Sequence, residues 1–420
     1  MSNENKYDLI VVGAGAAGIV AAGTAANKGA KVLLLEKMRS AGRKMLISGK
    51  GRCNITNDSY TSNHFKQHHP QSKYLKNAFK SFFKEDILQI LDSQNVEYKT
   101  ERGDRVFPVS DKSKDVLDAL LRWGIYKKVS LETHSDVKKI ITKNSQVKGI
   151  EYEQEGRRKQ VFANSVIIAT GGKSYPLTGS TGDGYKLAQE LGHSISTPLP
   201  ALVPIETKGN LAQSLMGLAL KNVNASLWVN GKKQSEEFGE MLFTHFGLSG
   251  PIILTLSRSI VLAVENGDKV EISIDLKPAL DDKKLDNRLI RDLDANGKKY
   301  VENIFKLWMP SKLVKPMLNI CNIDTSKLGN QIKADDRKQI RIKLKDFRSD
   351  ISCYRPFKEA IITQGGINTD EVSSKTMESK LIKGLYFAGE VLNLDANTGG
   401  YNFQIAYSTG SLAANSATTN

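Results

Sequence analysis

The chain has 420 residues, 40% hydrophobic and 25% charged, an ordinary balance for a globular protein and enough length for two or three domains of roughly 150 residues. No apolar run is long enough to span a bilayer as a helix, and three cysteines, Cys53, Cys321 and Cys353, are too few and too scattered for a disulfide framework or a zinc site, so no metal is expected and a reducing cytoplasm fits best. A net charge of +15 raises the question of a polyanion, but the densest basic stretch, 333–348, also carries Asp335, Asp336 and Asp346, which favours a solvated basic surface over a nucleic-acid partner.

The first residues run directly into an apolar, β-branched strand, Tyr7 to Val12, with no leader pattern. It ends in Gly13-Ala14-Gly15-Ala16-Ala17-Gly18, gives way to an Ala-rich helix from Ile19 to Lys28, and returns through Gly29 to a second buried strand, Lys31 to Leu35, with Glu36 at its end. In such a β-α-β unit the first glycine makes the turn, the second lets a pyrophosphate approach the backbone and the third lets helix and strand pack closely. The anion sits at the helix N-terminus, where unpaired N–H groups and the helix dipole favour negative charge. Glu36 stands where an acid accepts hydrogen bonds from a ribose and would repel a 2′-phosphate.

The next stretch, Ser40 to Met45 and Ser48 to Asn57, combines glycines, small polar groups and cations, as a loop lying against phosphates would, with Arg43, Lys44 and Arg52 supplying positive charge. Cys53 reads first as a buried structural thiol and second as a redox group. His64, His68 and His69 read as surface. Two helices, Lys73 to Ser93 and Ser113 to Trp123, flank the strand-like Arg105-Val106-Phe107-Pro108. Three short runs, Val137 to Ile141, Val147 to Tyr152 and Gln160 to Phe162, form a meander. Ser165 to Thr170 is then a buried strand stopping at Gly171-Gly172, followed by Thr178 to Tyr185 and a short helix.

From Thr197 the texture changes to prolines and alternating strands, such as Ala225 to Val229 and Val270 to Ile274, which indicates an inserted β-rich unit. Within it Gly239 to Pro251 reads as a loop leading into a helix from Ile252 to Arg258. His245, in that loop, is the residue to test for proton transfer, against the plainer reading of a structural histidine. Residues 285–344 are helical in pattern, with breaks at Pro310 and Pro316. Leu385 to Ala388 is another buried strand, ending in Gly389-Glu390, and Asn397-Thr398-Gly399-Gly400 opens a last helical segment from Tyr401. A helix N-terminus placed there would stabilise negative charge on a bound cofactor.

Gly42-Arg43-Lys44, Ser48 to Asn57, Arg105 to Pro108, Ala169 to Gly184, Gly239 to Pro251, Thr376 to Lys380, Gly384 to Val391 and Gly399 to Asn402 together resemble the aminoacetone oxidase or YhiN-like family of bacterial NAD(P)/FAD-dependent oxidoreductases, over essentially the whole chain. The resemblance implies an α/β fold with a Rossmann-like FAD-binding domain of the two-dinucleotide-binding-domain type (1–195 and 356–420), an inserted β-barrel-like domain (196–280 and 338–355) and a helical subdomain (281–337). It implies FAD contacts from the first turn at Gly13, Gly15, Ala16 and Gly18, then from Glu36 and Lys37. The basic loop would add Arg43, Lys44, Ser48, Gly49, Gly51, Arg52 and Asn54. Val137 and the turn Ala169, Thr170 and Gly171 would follow, and the C-terminal region would supply Gly389, Glu390, Gly399, Gly400, Tyr401 and Asn402. The chain departs from the family pattern at Asn393 and Ala396-Asn397, where Asp395 is the nearby acid. The implied activity is hydride transfer at FAD to or from a small molecule, with catalytic candidates His245 and Cys53. Electrons would be exchanged with oxygen or with NAD(P)H, whose binding would be transient because only one dinucleotide fingerprint is present. The alternative is a flavin-dependent protein that modifies or binds RNA.

Overall fold

A computed structural model of the chain describes residues 6–69, 72–126 and 128–419. The chain forms two compact units, one from the stretches ending at Pro200 and beginning at Ala360, the other Ala201–Glu359.

The first unit is built on a parallel sheet. Strand β1 (Lys6–Val12) pairs with β2 (Val32–Leu35) on one side and with the end of the Arg157–Ile168 strand on the other. Val129–Glu132 extends the sheet beyond β2, and Leu385–Phe387 extends it beyond Arg157–Ile168. Leu9, Ile10, Val11, Leu33, Leu34, Val166, Ile167 and Ile168 are all buried. Both faces of this sheet are covered, which is why these strands read as continuous apolar runs instead of alternating ones. Helix α1 (Ala16–Asn27) and the C-terminal helix Tyr401–Ala417 pack on each other through alanines and glycines.

The expected meander forms from Ser135–Lys143, Gln146–Gln154 and Arg157–Ile168. Its third strand does not stop at Phe162. Residues 157–162 pair antiparallel with the meander, and 162–168 continue as a parallel strand of the core. The expected helix from Lys73 to Ser93 is two helices, Lys76–Ser81 and Lys84–Ser93, separated at Phe82-Phe83, whose rings are buried.

In the second unit six strands close into a barrel, in the order Ile205–Thr207, Gly247–Ser249, Lys232–Phe243, Ala219–Val229, Val270–Asp275, Phe347–Tyr354. Closure removes the sheet edges. Gly239 to Pro251, expected as a loop, is largely strand: Lys232–Phe243 runs through Gly239, whose Cβ would stand 2.9 Å from Ile252 Cγ2. A glycine is needed there because the helix Pro251–Glu265 approaches the strand too closely for a side chain. Helices Asp282–Ala295, Val301–Phe305, Ser311–Ile320 and Ala334–Lys345 are inserted between the last two barrel strands in sequence. Pro310 caps Ser311–Ile320 as expected, but Pro316 lies inside that helix. Burial of Leu313, Val314, Met317 and Leu318, at ~1.5–3 kcal/mol for each large side chain, outweighs the ~3 kcal/mol that an interior proline costs. Among the described residues no helix is long and apolar enough to cross a membrane.

Candidate cofactor site

The site assembles at the carboxyl ends of the parallel strands of the first unit. After β1, Gly13 turns with φ +99° and lies so near the next strand that its Cβ would meet the Ala169 carbonyl oxygen at 2.7 Å. A Cβ on Gly18 would stand 1.8 Å from the Gly13 carbonyl oxygen, whereas one on Gly15 would meet nothing within 4 Å. Two glycines are therefore required by packing, and Gly15 faces open space. Gly15 is also the N-cap of α1, with no side-chain cap and no acid in the first turn. The end of a buried helix left without a protein partner is suited to an anion.

Glu36 leaves the end of β2 and turns back, one carboxylate oxygen accepting from Ala14 N–H and the other from Met38 N–H, both at 2.9 Å. Burial pushes its pKa up, against the lowering effect of those two N–H groups and of Lys37 and Arg43. Its carbonyl accepts from Ser135 N–H at 2.9 Å, which starts the strand carrying the buried Val137 beside this acid. Lys37 pairs with Asp183 and Thr181, fixing the 178–185 segment over the same strand ends. Arg43 donates to the Leu177 carbonyl at 3.2 Å.

Lys44 and Glu390 lie 346 residues apart in sequence and 2.7 Å apart in space. Glu390 also accepts from Ser174 Oγ and from Thr363 N–H, both at 2.9 Å, and Lys44 donates to Ser174 Oγ at 2.6 Å. Ser174 and Thr363 were not singled out from the sequence. Nearby, Ala169 N–H donates to the Val12 carbonyl at 2.8 Å, and the buried Thr170 hydroxyl has no hydrogen-bond partner. Arg52 is held by Glu101 and by Asp111 and stacks 4.0 Å above the Phe107 ring. Its charge is thus already paired within the protein.

The basic loop is bound to the start of the C-terminal helix. The Asn54 amide donates to the carbonyls of Thr56 and Val106 at 3.1 and 3.2 Å, and its oxygen accepts from Gly400 N–H at 3.0 Å. Asn57 donates to the carbonyls of Gly399 and Gly103, each at 3.0 Å. Asn402 holds Ala396 through both its N–H (2.9 Å) and its carbonyl (2.8 Å). Gly389 N–H donates to Thr409 Oγ1 at 2.9 Å. Gly400 caps the 17-residue helix without a side-chain acceptor, and its first turn has no acid. This is a second helix start without a side-chain cap. Ser48 Oγ donates to the Met45 carbonyl at 2.7 Å, while Gly49 and Gly51 are left-handed.

Two expectations need correction, Cys53 as a catalytic redox group and His64 as a surface residue. Cys53 is fully buried and burial pushes its thiol up to about 12, so it stays a protonated packing group and not the reactive thiolate that redox chemistry requires. His64 is not at the surface. It is buried, its Nε2 donates to the Asn57 carbonyl at 3.0 Å, and its ring meets Phe83 and Tyr401 edge-on at 4.8 and 4.9 Å. The polar residues around it in sequence hid this. The side chains of His68 and His69 lie outside the described residues. His245 is exposed on the turn before Gly247–Ser249, edge-on to Phe246 at 4.8 Å.

Burial lowers the His64 pKa to about 4, so the histidine is neutral in the fold. Its contribution is complete above its ordinary pKa near 6.5 and is lost as the pH falls toward 4, on the order of 3 kcal/mol. A His64→Phe protein is expected to be less stable at pH 8 but to have a flatter stability profile between pH 6.5 and 4, measured by urea unfolding. Parallel profiles for the two proteins would refute this assignment.

The parts of FAD find matching groups here. The open backbone at Gly15 and the uncapped α1 suit its pyrophosphate, Glu36 a ribose, and the uncapped C-terminal helix the rest of the molecule. The sequence matches the family described as HI0933-like protein Rossmann domain over residues 7–416. It is 30% identical over 413 residues to a 3-dehydro-bile acid delta(4,6)-reductase of Clostridium scindens, covering 97% of this chain and 98% of that protein. It is also 30% identical over 404 residues to a ribosomal RNA dihydrouridine synthase of Escherichia coli, covering 96% of each. Among solved structures, 3-ketosteroid-delta4-(5alpha)-dehydrogenase of Rhodococcus jostii RHA1 aligns with a TM-score of 0.54 at 16% identity, over 100% of this chain and 98% of that one. A flavocytochrome c3 fumarate reductase aligns at 0.51 and 17%, over 99% and 78%. These likenesses show a Rossmann-type FAD-binding fold.

Proposed function

The chain belongs to the HI0933-like Rossmann family of FAD-binding oxidoreductases, and from that premise we propose that it is a reductase saturating a carbon–carbon double bond conjugated to a carbonyl, with a uracil base of RNA as substrate. The observation that carries the reading is a cradle suited to FAD in a chain similar, end to end, to two reductive enzymes whose names share this chemistry. FAD, held at Gly15 and Glu36, would supply two-electron reduction, with NAD(P)H as the source of the hydride for the carbon β to the carbonyl and solvent as the source of the proton for the α-carbon. The protein's part is to hold the cofactor at Gly15 and Glu36, to fix Glu390 and Lys44 through Ser174 and Thr363, and to present two helix N-termini to negative charge.

The similarity to a ribosomal RNA dihydrouridine synthase supports RNA as the substrate, and a net charge of +15 is compatible with a polyanion. The similarity to the bile acid reductase favours the second reading, a small conjugated dienone. Three unbridged cysteines suit a reducing cytoplasm. The test is anaerobic absorbance of the FAD-loaded protein with NADH and then NADPH, followed by addition of unmodified ribosomal RNA. Bleaching by a nicotinamide and recovery of the oxidised spectrum on adding RNA, with dihydrouridine in the digested product, is the expected result. A flavin that nicotinamides do not bleach but an amine does would overturn the reductase reading in favour of an oxidase.

A further inference from the structure

The Arg105–Pro108 strand is only half explained by the cofactor cradle. Val106 and Phe107 point inward: the Val106 carbonyl accepts from Ile55 N–H at 2.8 Å, and the Phe107 ring lies under Arg52 and 3.3 Å from where a Cβ on Gly49 would stand. Arg105 points outward. Its Nε donates to the Arg102 carbonyl at 3.0 Å and its guanidinium lies 5.9 Å from the same Phe107 ring, leaving its terminal nitrogens without a hydrogen-bond partner among the described residues. Arg102, at the tip of this hairpin, and Lys50, at φ +59° between Gly49 and Gly51, are exposed and also lack a side-chain partner among the described residues. The carboxylates around them are mostly committed, Glu101 and Asp111 to Arg52 and Lys99, and Asp58 to Lys84, which leaves Asp104.

The three cations therefore stand on two turns against one unpaired acid, and both turns are locked to the N-terminus of the C-terminal helix. Asn57 holds Gly103 and Gly399 together, and Asp58 N–H donates to the Asp104 carbonyl at 2.7 Å. Two residues beyond Asp58, Tyr60 is 83% exposed. A base reduced at a flavin must leave its stack, so the flanking backbone has to be gripped beside the cofactor. Planar guanidinium groups with free N–H donors match phosphate geometry, and an exposed aromatic ring supplies a stacking face. Resting on the RNA reading above, we propose that Arg102 and Arg105, with Lys50, bind the sugar-phosphate backbone next to the target uracil and that Tyr60 stacks on a neighbouring base.

The test compares FAD-loaded wild type, Arg102→Gln/Arg105→Gln and Tyr60→Ala for binding to an in vitro transcript of ribosomal RNA between 50 and 300 mM KCl. The double variant is expected to bind about 10- to 100-fold more weakly at low salt, with the slope of log affinity against log salt reduced by about two, one for each phosphate contact. Tyr60→Ala is expected to lose about tenfold with the slope unchanged. The flavin spectrum and the rate of anaerobic reduction by the nicotinamide are expected to match wild type in both variants. Unchanged RNA affinity and slope in the double variant would overturn the inference while leaving the RNA reading in place. So would a selective loss of reduction by NADPH over NADH, which would assign the arginines to the 2′-phosphate of the donor. Wild-type protein that reduces a small dienone but shows no salt-dependent RNA binding would overturn the RNA reading, and the inference with it.

Discussion

Gly15→Leu protein is expected to fold normally and to lose FAD, whereas Gly18→Ala protein is expected to be destabilised whether or not FAD is supplied. Gly15 has φ −83° and open space where its side chain would go, so the apo protein accommodates the leucine. In the proposed cofactor placement, the space it fills is where the pyrophosphate would meet the backbone N–H groups. Losing two charge-assisted hydrogen bonds of about 1.5–3 kcal/mol each corresponds to about 10²- to 10⁴-fold in affinity. A Cβ on Gly18, by contrast, overlaps the Gly13 carbonyl oxygen at 1.8 Å and forces α1 away from β1, which costs roughly 3 kcal/mol or more. Flavin absorbance after reconstitution and thermal melts of the apo proteins separate the two effects. Gly15→Leu protein that retains wild-type FAD affinity would show that the phosphates do not lie at this turn.

Glu390→Ala is expected to cost about 2–3 kcal/mol in the apo protein and to loosen the cofactor as well. The substitution leaves the Lys44 ammonium, the Ser174 hydroxyl and the Thr363 N–H without their acceptor. Breaking a fully buried pair costs about 3–5 kcal/mol. The Lys44 and Glu390 side chains are 25% and 20% exposed, and water reaching the stranded lysine reduces that figure. A Lys44→Met/Glu390→Met double substitution should recover part of the loss, because no charge is then left unpaired. Urea unfolding of the two single variants and the double variant gives the coupling directly. Strictly additive losses would mean that the two groups do not support one another.

The fingerprint was legible because its chemistry is local. The strand, the glycine spacing and Glu36 all fall within 31 residues, and each has a mechanical reason that survives without tertiary context. The inserted β-rich unit was legible as alternation from Thr197 onward, though not its closure into a barrel, and except at Gly239, where glycine content suggested a loop and a closely approaching helix was the actual cause. Glu390 could be picked out as an acid after a strand, but its partners Ser174 and Thr363 lie 216 and 27 residues away, beyond any sequence window. His64 was hidden for a similar reason: it sits on a polar helix and is buried by Phe83 and Tyr401, which come from elsewhere in the chain. The proposed RNA-contacting residues did not form a run because Lys50, Tyr60 and the Arg102 and Arg105 pair belong to three separate segments. Scattered lysines and arginines do not reveal which of them the fold leaves without a carboxylate.

The split of the first unit across the chain has a consequence for how the protein is made. The Leu385–Phe387 strand and the Tyr401–Ala417 helix leave the ribosome after the rest of the first unit and after the barrel, yet the first pairs with the Val166–Ile168 end of a core strand and the second packs on α1. Until they emerge, that strand has an open edge and α1 an uncovered alanine face, while the barrel, with all its strands between 205 and 354, can already close. At ~5–20 residues per second, synthesis of the stretch that begins at Ala360 keeps the nucleotide-binding half incomplete for several seconds. Chaperone dependence during synthesis should therefore concentrate in the N-terminal 200 residues, and a stop codon just before the last helix should yield a folded barrel attached to an aggregating half.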